Sequence, residues 1–145
     1  MKIYTIGFTK KTAKDFFEKI KKAQVKFLID IRLNNSSQLA GFAKGVDLEY
    51  FLDKVCACRY AHEIIFAPTK ELLDGYHAKK VEWEEYVEVF DKLMTERKAV
   101  EYFMEKYSNE DSVCLLCSED VPLRCHRRLI AEKISKMNKA EVVHL

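Results

Sequence analysis

The chain has 145 residues, of which 48% are hydrophobic and 33% charged, with a net charge of +2. That length can bury a core of its own. No stretch approaches the ~18 uninterrupted apolar residues of a membrane helix, and a charge so near zero neither demands nor excludes a nucleic-acid partner. Only four Gly and two Pro are present, without a repeat, low-complexity tract or linker, so a single domain over 1–145 is expected.

The start, Met1-Lys2-Ile3-Tyr4, reads as a strand and not as a signal peptide, so a cytoplasmic setting is expected. Ile3 to Ile6 is a short strand ending at Gly7. Thr12 is placed to cap a helix over about 13–23, with Phe16, Phe17 and Ile20 at helical spacing. The lysines at 10, 11, 14, 19, 21 and 22 read as the solvated face of that helix. Lys26 to Arg32 is a second strand, apolar on both faces as buried parallel strands are. Asn34-Asn35-Ser36-Ser37 is a loop, and a helix over about 47–56 carries Leu48, Phe51, Leu52 and Val55. A strand over 59–62 follows, then a short helix over about 69–77 behind Pro68. A longer helix over about 82–106 breaks near Arg97. A strand over 112–117, a helix over about 125–137 and a final strand over 140–145 complete the chain. Strands alternating with helices predict a single-domain, Rossmann-like α/β fold with a largely parallel sheet flanked by helices. In such a sheet Gly7, Asp30, Arg32 and Cys117 gather on one rim.

Chemistry concentrates where the 112–117 strand runs into the 125–137 helix. Ligands of open α/β sheets bind beyond the carboxyl ends of strands, against helix N-termini. Arg124, His126, Arg127 and Arg128 crowd that helix start, where cations oppose the helix dipole by roughly 0.3–1 kcal/mol. Either an acidic neighbour (Asp30, Glu119 or Asp120) or a bound anion offsets that cost. His126 lies one turn before Ile130 and shares its core-facing side. Asp30 and Arg32, two residues apart on a strand, share a face, as an ion pair or as a base beside an anion-binding arginine.

Five cysteines, at 56, 58, 114, 117 and 125, are an odd set, and structural disulfides are not expected in the cytoplasm. Cys56 and Cys58 read as buried. Cys114, Cys117, Cys125 and His126 resemble a zinc ligand set, but positions i and i+3 of a strand face opposite ways, so no metal is expected. Cys117, beside arginines and a helix start, is a candidate thiolate. Six residues separate it from Arg124 where a phosphate-loop phosphatase has five, and Glu119 and Asp120 would repel a phosphate dianion there, so neither that chemistry nor a rhodanese fits. A Cys117–Cys125 redox pair is geometrically possible.

Three pieces of the chain resemble the domain-of-unknown-function (DUF) family 488: Thr5-Ile6-Gly7, Asp30-Ile31-Arg32, and Leu115-Leu116-Cys117-x-Glu119-x-x-Pro122-x-x-Cys125-His126-Arg127. The resemblance covers nearly the whole chain. Phe8 departs from it, since members commonly carry a polar residue there, while Thr9 keeps a hydroxyl. It implies a compact Rossmann-like domain, no settled activity, and one site made of Thr9, Asp30, Arg32, Cys117, Glu119, Cys125, His126 and Arg127. The expectation is therefore an enzyme-like site for a phosphate-bearing small molecule or nucleic acid. Asp30, Glu119 and Cys117 are its catalytic candidates. Thr9, Arg32, Cys125, His126 and Arg127 are its ligand-binding candidates. No cofactor and no membrane partner are expected. A non-catalytic binding module and a thiol redox sensor are the alternatives, and oligomeric state is left open.

Overall fold

The computed structural model describes residues 1–36 and 40–145. Ser37, at the end of the expected loop, lies outside the described residues. In chain order the elements are β1 (Lys2–Gly7), α1 (Ala13–Lys22), β2 (Phe27–Asp30), α2 (Gly45–Cys56), β3 (Arg59–His62), α3 (Lys70–His77), α4 (Trp83–Glu96), α5 (Ala99–Tyr107), β4 (Ser112–Cys117), α6 (His126–Asn138) and β5 (Glu141–His144). Two single 3-10 turns, Gly41–Ala43 and Ile64–Phe66, fill connections. No helix is long and apolar enough to cross a membrane among the described residues.

All five strands pair in parallel, in the order β3-β2-β4-β1-β5. The sheet buries both faces, as the near-continuous apolar strands require. Side chains alternate between them. Ile3, Ile29, Val113 and Leu115 pack under Phe90 and Met94 of α4, Phe103 of α5 and Ile130 and Ile134 of α6. Ile6, Leu28, Cys114 and Leu116 pack under Phe16, Phe17 and Ile20 of α1 and Leu48 and Leu52 of α2. Thr12 and Thr69 cap α1 and α3 as their side chains predict. The long helix expected over 82–106 breaks at Lys98, which takes a left-handed backbone (φ 53°) between α4 and α5. The second strand stops at Asp30, earlier than Arg32, because Asp30 and Arg32 bond to each other beyond it.

The register sets Gly7 beside Cys117, and Asp30 beside both Leu116 and His62. The expected shared rim is therefore present. After β2 the chain leaves through α2 to β3 at one edge, and after β4 it leaves through α6 to β5 at the other. These two helices lie on opposite faces. The connections leaving the carboxyl ends of β2 and β4 thus diverge and open a crevice, the switch point where ligands of open α/β sheets bind.

Candidate functional site

A cavity of about 220 Å³ opens at that crevice. Its floor comes from Arg32, Leu33 and Asn34 after β2 and from Cys117 to Glu119 at the end of β4. Cys125 and His126 supply the start of α6, and Tyr76, His77 and Tyr86 form a wall from α3 and α4. Exposed Arg124 stands at the mouth.

Five of the eight expected site residues line this cavity: Arg32, Cys117, Glu119, Cys125 and His126. The other three stand behind it. Asp30 is fully buried and accepts four bonds: from Arg32 Nε (2.9 Å), Arg32 NH2 (2.7 Å), the Arg32 backbone N–H (3.2 Å) and the Tyr60 hydroxyl (2.7 Å). A carboxylate so saturated holds Arg32 in place, which is the ion-pair reading of the two expected for this pair. Thr9 donates from its hydroxyl to the Ser118 carbonyl (2.5 Å) and fastens the loop after β4.

Arg127 differs most from expectation. It is fully buried, and each of its three side-chain nitrogens makes at least one hydrogen bond. Nε bonds Thr5 Oγ1 (3.3 Å), NH1 bonds the Glu119 carbonyl and Cys125 Sγ, and NH2 bonds the Asp120 carbonyl (3.2 Å). The dipole cost at the α6 start is thus met by backbone carbonyls, where a carboxylate or ligand was expected. Gly7 lies under the same loop, and a Cβ there would overlap the Glu119 carbonyl. Lys11 pairs with Asp120 (2.9 Å) and ties the loop's far side to the end of β1.

Arg32 serves the cavity differently. One edge of its guanidinium grips Asp30, and NH2 also donates to the Ala43 carbonyl (2.7 Å). Burial opposes its charge, but Asp30 more than offsets this and raises its pKa. NH1 has no hydrogen-bond partner among the described residues. Phe8 lies against the guanidinium with its ring centre 5.2 Å away.

The sulfur of Cys117 is the chemical centre. Its pKa is lowered because Cys125 bonds to it, the backbone N–H groups of Ser118 and Glu119 bond to it and the Arg127 charge is close, together outweighing burial. The same bond to Cys117 pushes Cys125 up. His126 Nδ1 lies 3.5 Å from Cys117 Sγ. Its Nε2 sits 2.9 Å from the Ile31 carbonyl, which can only accept, so Nε2 carries the proton and Nδ1 presents a lone pair. The donor atoms of Cys117, Cys125 and His126 all lie within 4.8 Å of one another. Cys114 points into the α1–α2 core, as the strand period requires. Cys58, also buried, is pushed up to about 12 by burial.

Tyr76, His77 and Tyr86 escaped the sequence reading. Tyr86 and Phe90 recur at helical spacing on α4, and that pattern reads as plain core. No curated protein and no solved structure matches the chain. The family model described as domain of unknown function DUF488 matches residues 12–134, a span that holds Asp30, Arg32 and the whole Cys117–Arg127 segment. The chain therefore belongs to the DUF488 family.

Proposed function

We propose that the protein is an enzyme that takes a small phosphate-bearing ligand, a mononucleotide or the end of a nucleic acid, into the cavity between β2 and β4. The observation that carries this reading is Arg32, a buried cation lining the cavity whose NH1 has no partner among the described residues. A buried donor left unpaired costs about 1–3 kcal/mol. A small turn of the guanidinium onto a ligand oxygen removes that cost.

Two further features support an anion. No side chain caps the start of α6 and no acidic residue stands in its first turn, so its N–H groups and positive dipole end favour negative charge. Arg124 adds a second cation at the mouth. The volume of about 220 Å³ falls below the roughly 300–1,000 Å³ of drug-sized sites. It suits one ring with its phosphate, against the faces of Tyr76 and His77. A duplex would present only its end. Cys117, His126 and Glu119 are the reactive groups lining the cavity, and because Glu119 repels a phosphate dianion the phosphate belongs beside Arg32 and the α6 start.

Melting measured with inorganic phosphate and with nucleoside monophosphates tests the reading. The parent protein should be stabilised, less so at high salt. Arg124→Ala, an exposed change, should melt as the parent does alone and lose most of the ligand response. A parent that responds to none of these anions overturns the proposal. Binding without turnover of any phosphate ester supplied would leave a non-catalytic binding module instead.

A further inference from the structure

We infer that Cys117, Cys125 and His126 form a three-ligand site for a zinc-type divalent cation, with its fourth position open to the cavity. Tetrahedral zinc, with Zn–S near 2.3 Å and Zn–N near 2.0–2.1 Å, requires S···N edges of about 3.6 Å and S···S edges of about 3.8 Å. Cys117 Sγ and His126 Nδ1 are 3.5 Å apart, and no two of the three donor atoms exceed 4.8 Å. The triangle is nearly of the right size before any metal enters.

The backbone explains how adjacent residues can share one ion. Cys125 is extended (φ −135°, ψ 139°) and His126 opens α6. In a strand, neighbouring side chains would point to opposite faces. The change from strand-like to helical backbone between them turns both toward Cys117. The expectation of no metal rested on Cys114 facing away. That exclusion removes one thiol and leaves these three groups together.

The surroundings are those of a metal ligand set. His126 is held through Nε2 by the Ile31 carbonyl, which fixes the tautomer and aims Nδ1 at the ion, as outer partners of ligating histidines do. Arg127 NH1 lies 3.8 Å from the Cys125 sulfur and would help carry its thiolate charge. Two thiolates and one neutral imidazole leave a zinc unit without net charge, so its burial adds no uncompensated charge. Entry displaces the thiol protons to solvent, two at most. All three ligands line the cavity, so the fourth position faces the space where a ligand would sit. Three protein ligands with one open position mark catalytic and not structural zinc. The inference deepens the enzyme reading by naming a metal that would polarise the bound group, yet the ligand triangle stands without it.

The test uses the full chain, free of any histidine tag, reduced and stripped with chelator, then titrated with Co²⁺ and Zn²⁺. One Co²⁺ per chain should bind with thiolate-to-metal charge-transfer absorption, and one equivalent of Zn²⁺ should displace it. Cys117→Ser and Cys125→Ser should each weaken zinc by more than the 10–100-fold typical of an outer-shell partner, while Cys114→Ala should keep full stoichiometry. Alkylation of the parent needs no variant: zinc should protect Cys117 and Cys125 and leave Cys56 as reactive as before. Absence of the charge-transfer band at one equivalent overturns the inference. So does binding that survives loss of both cysteines, or a Cys117–Cys125 disulfide whose reduced form takes no metal. Phosphate-ester stabilisation of the chelator-treated protein reads the cavity alone. If it persists while metal binding fails, only the metal inference falls; the reverse result sinks only the anion reading.

Discussion

A guanidinium buried without a carboxylate beside it must be solvated by dipoles, and Arg127 gathers the carbonyls of Glu119 and Asp120 for that purpose. In doing so it pins the loop that carries Cys125 over Gly7. Arg127→Ala would strip two part-buried carbonyls of their donor and leave a void where a fully buried side chain stood, a loss of roughly 2–5 kcal/mol. Chemical denaturation of the variant checks this, and a loss below about 1 kcal/mol would show that water replaces the guanidinium. Lysine should not rescue it, since one ammonium cannot reproduce the fork. The sequence held a signal for this role. Arg127, Ala131 and Ile134 recur at helical spacing and share a buried face, but the crowd of four basic residues at one helix start masked which of them turned inward. His126 was legible for the same reason of spacing, one turn before Ile130.

At the scale of elements, β3 and α5 are joined through Glu63. Its carboxylate, just past β3, accepts from Tyr107 (2.5 Å), Tyr102 (3.0 Å) and Lys106 on α5. Burial alone would raise its pKa, but Lys106, Tyr107 and Tyr102 more than offset that and hold it below the ordinary 4.5. The fold therefore gains from this charge above pH 4.5 and loses the gain as the pH falls from there through the lower folded value. Denaturation from pH 7 to 3 should show the parent losing stability faster than Glu63→Gln below pH 4.5. Parallel curves would contradict a stabilising charge at Glu63. The elements themselves were readable because the strands are short apolar runs and two helix starts carry threonine caps. The end of β2 was less so, since the bonds between Asp30 and Arg32 replace ladder pairing there.

For the whole molecule, the rim that collects Gly7, Asp30, Arg32 and Cys117 follows from parallel strands and was legible from their order alone. The cavity wall was not. Tyr76 and Tyr86 arrive from α3 and α4 by packing across the sheet end, and nothing in their spacing separates a cavity wall from an ordinary core. The convergence of Cys125 and His126 on Cys117 depends on the backbone turn at residue 125, which no periodicity reveals. A second, mainly basic surface lies along α1 and the turn before it, where Lys10, Lys19, Lys21 and Lys22 surround an open groove together with Asp15 and Glu18. The ligand belongs at the β2–β4 crevice, and those lysines form a solvated face. The most direct measurement is a crystal structure of the protein soaked with a nucleoside monophosphate. The phosphate should lie between Arg32 and the first turn of α6, with the base against Tyr76 and His77. A phosphate seated on the α1 lysines, with the crevice empty, would contradict it.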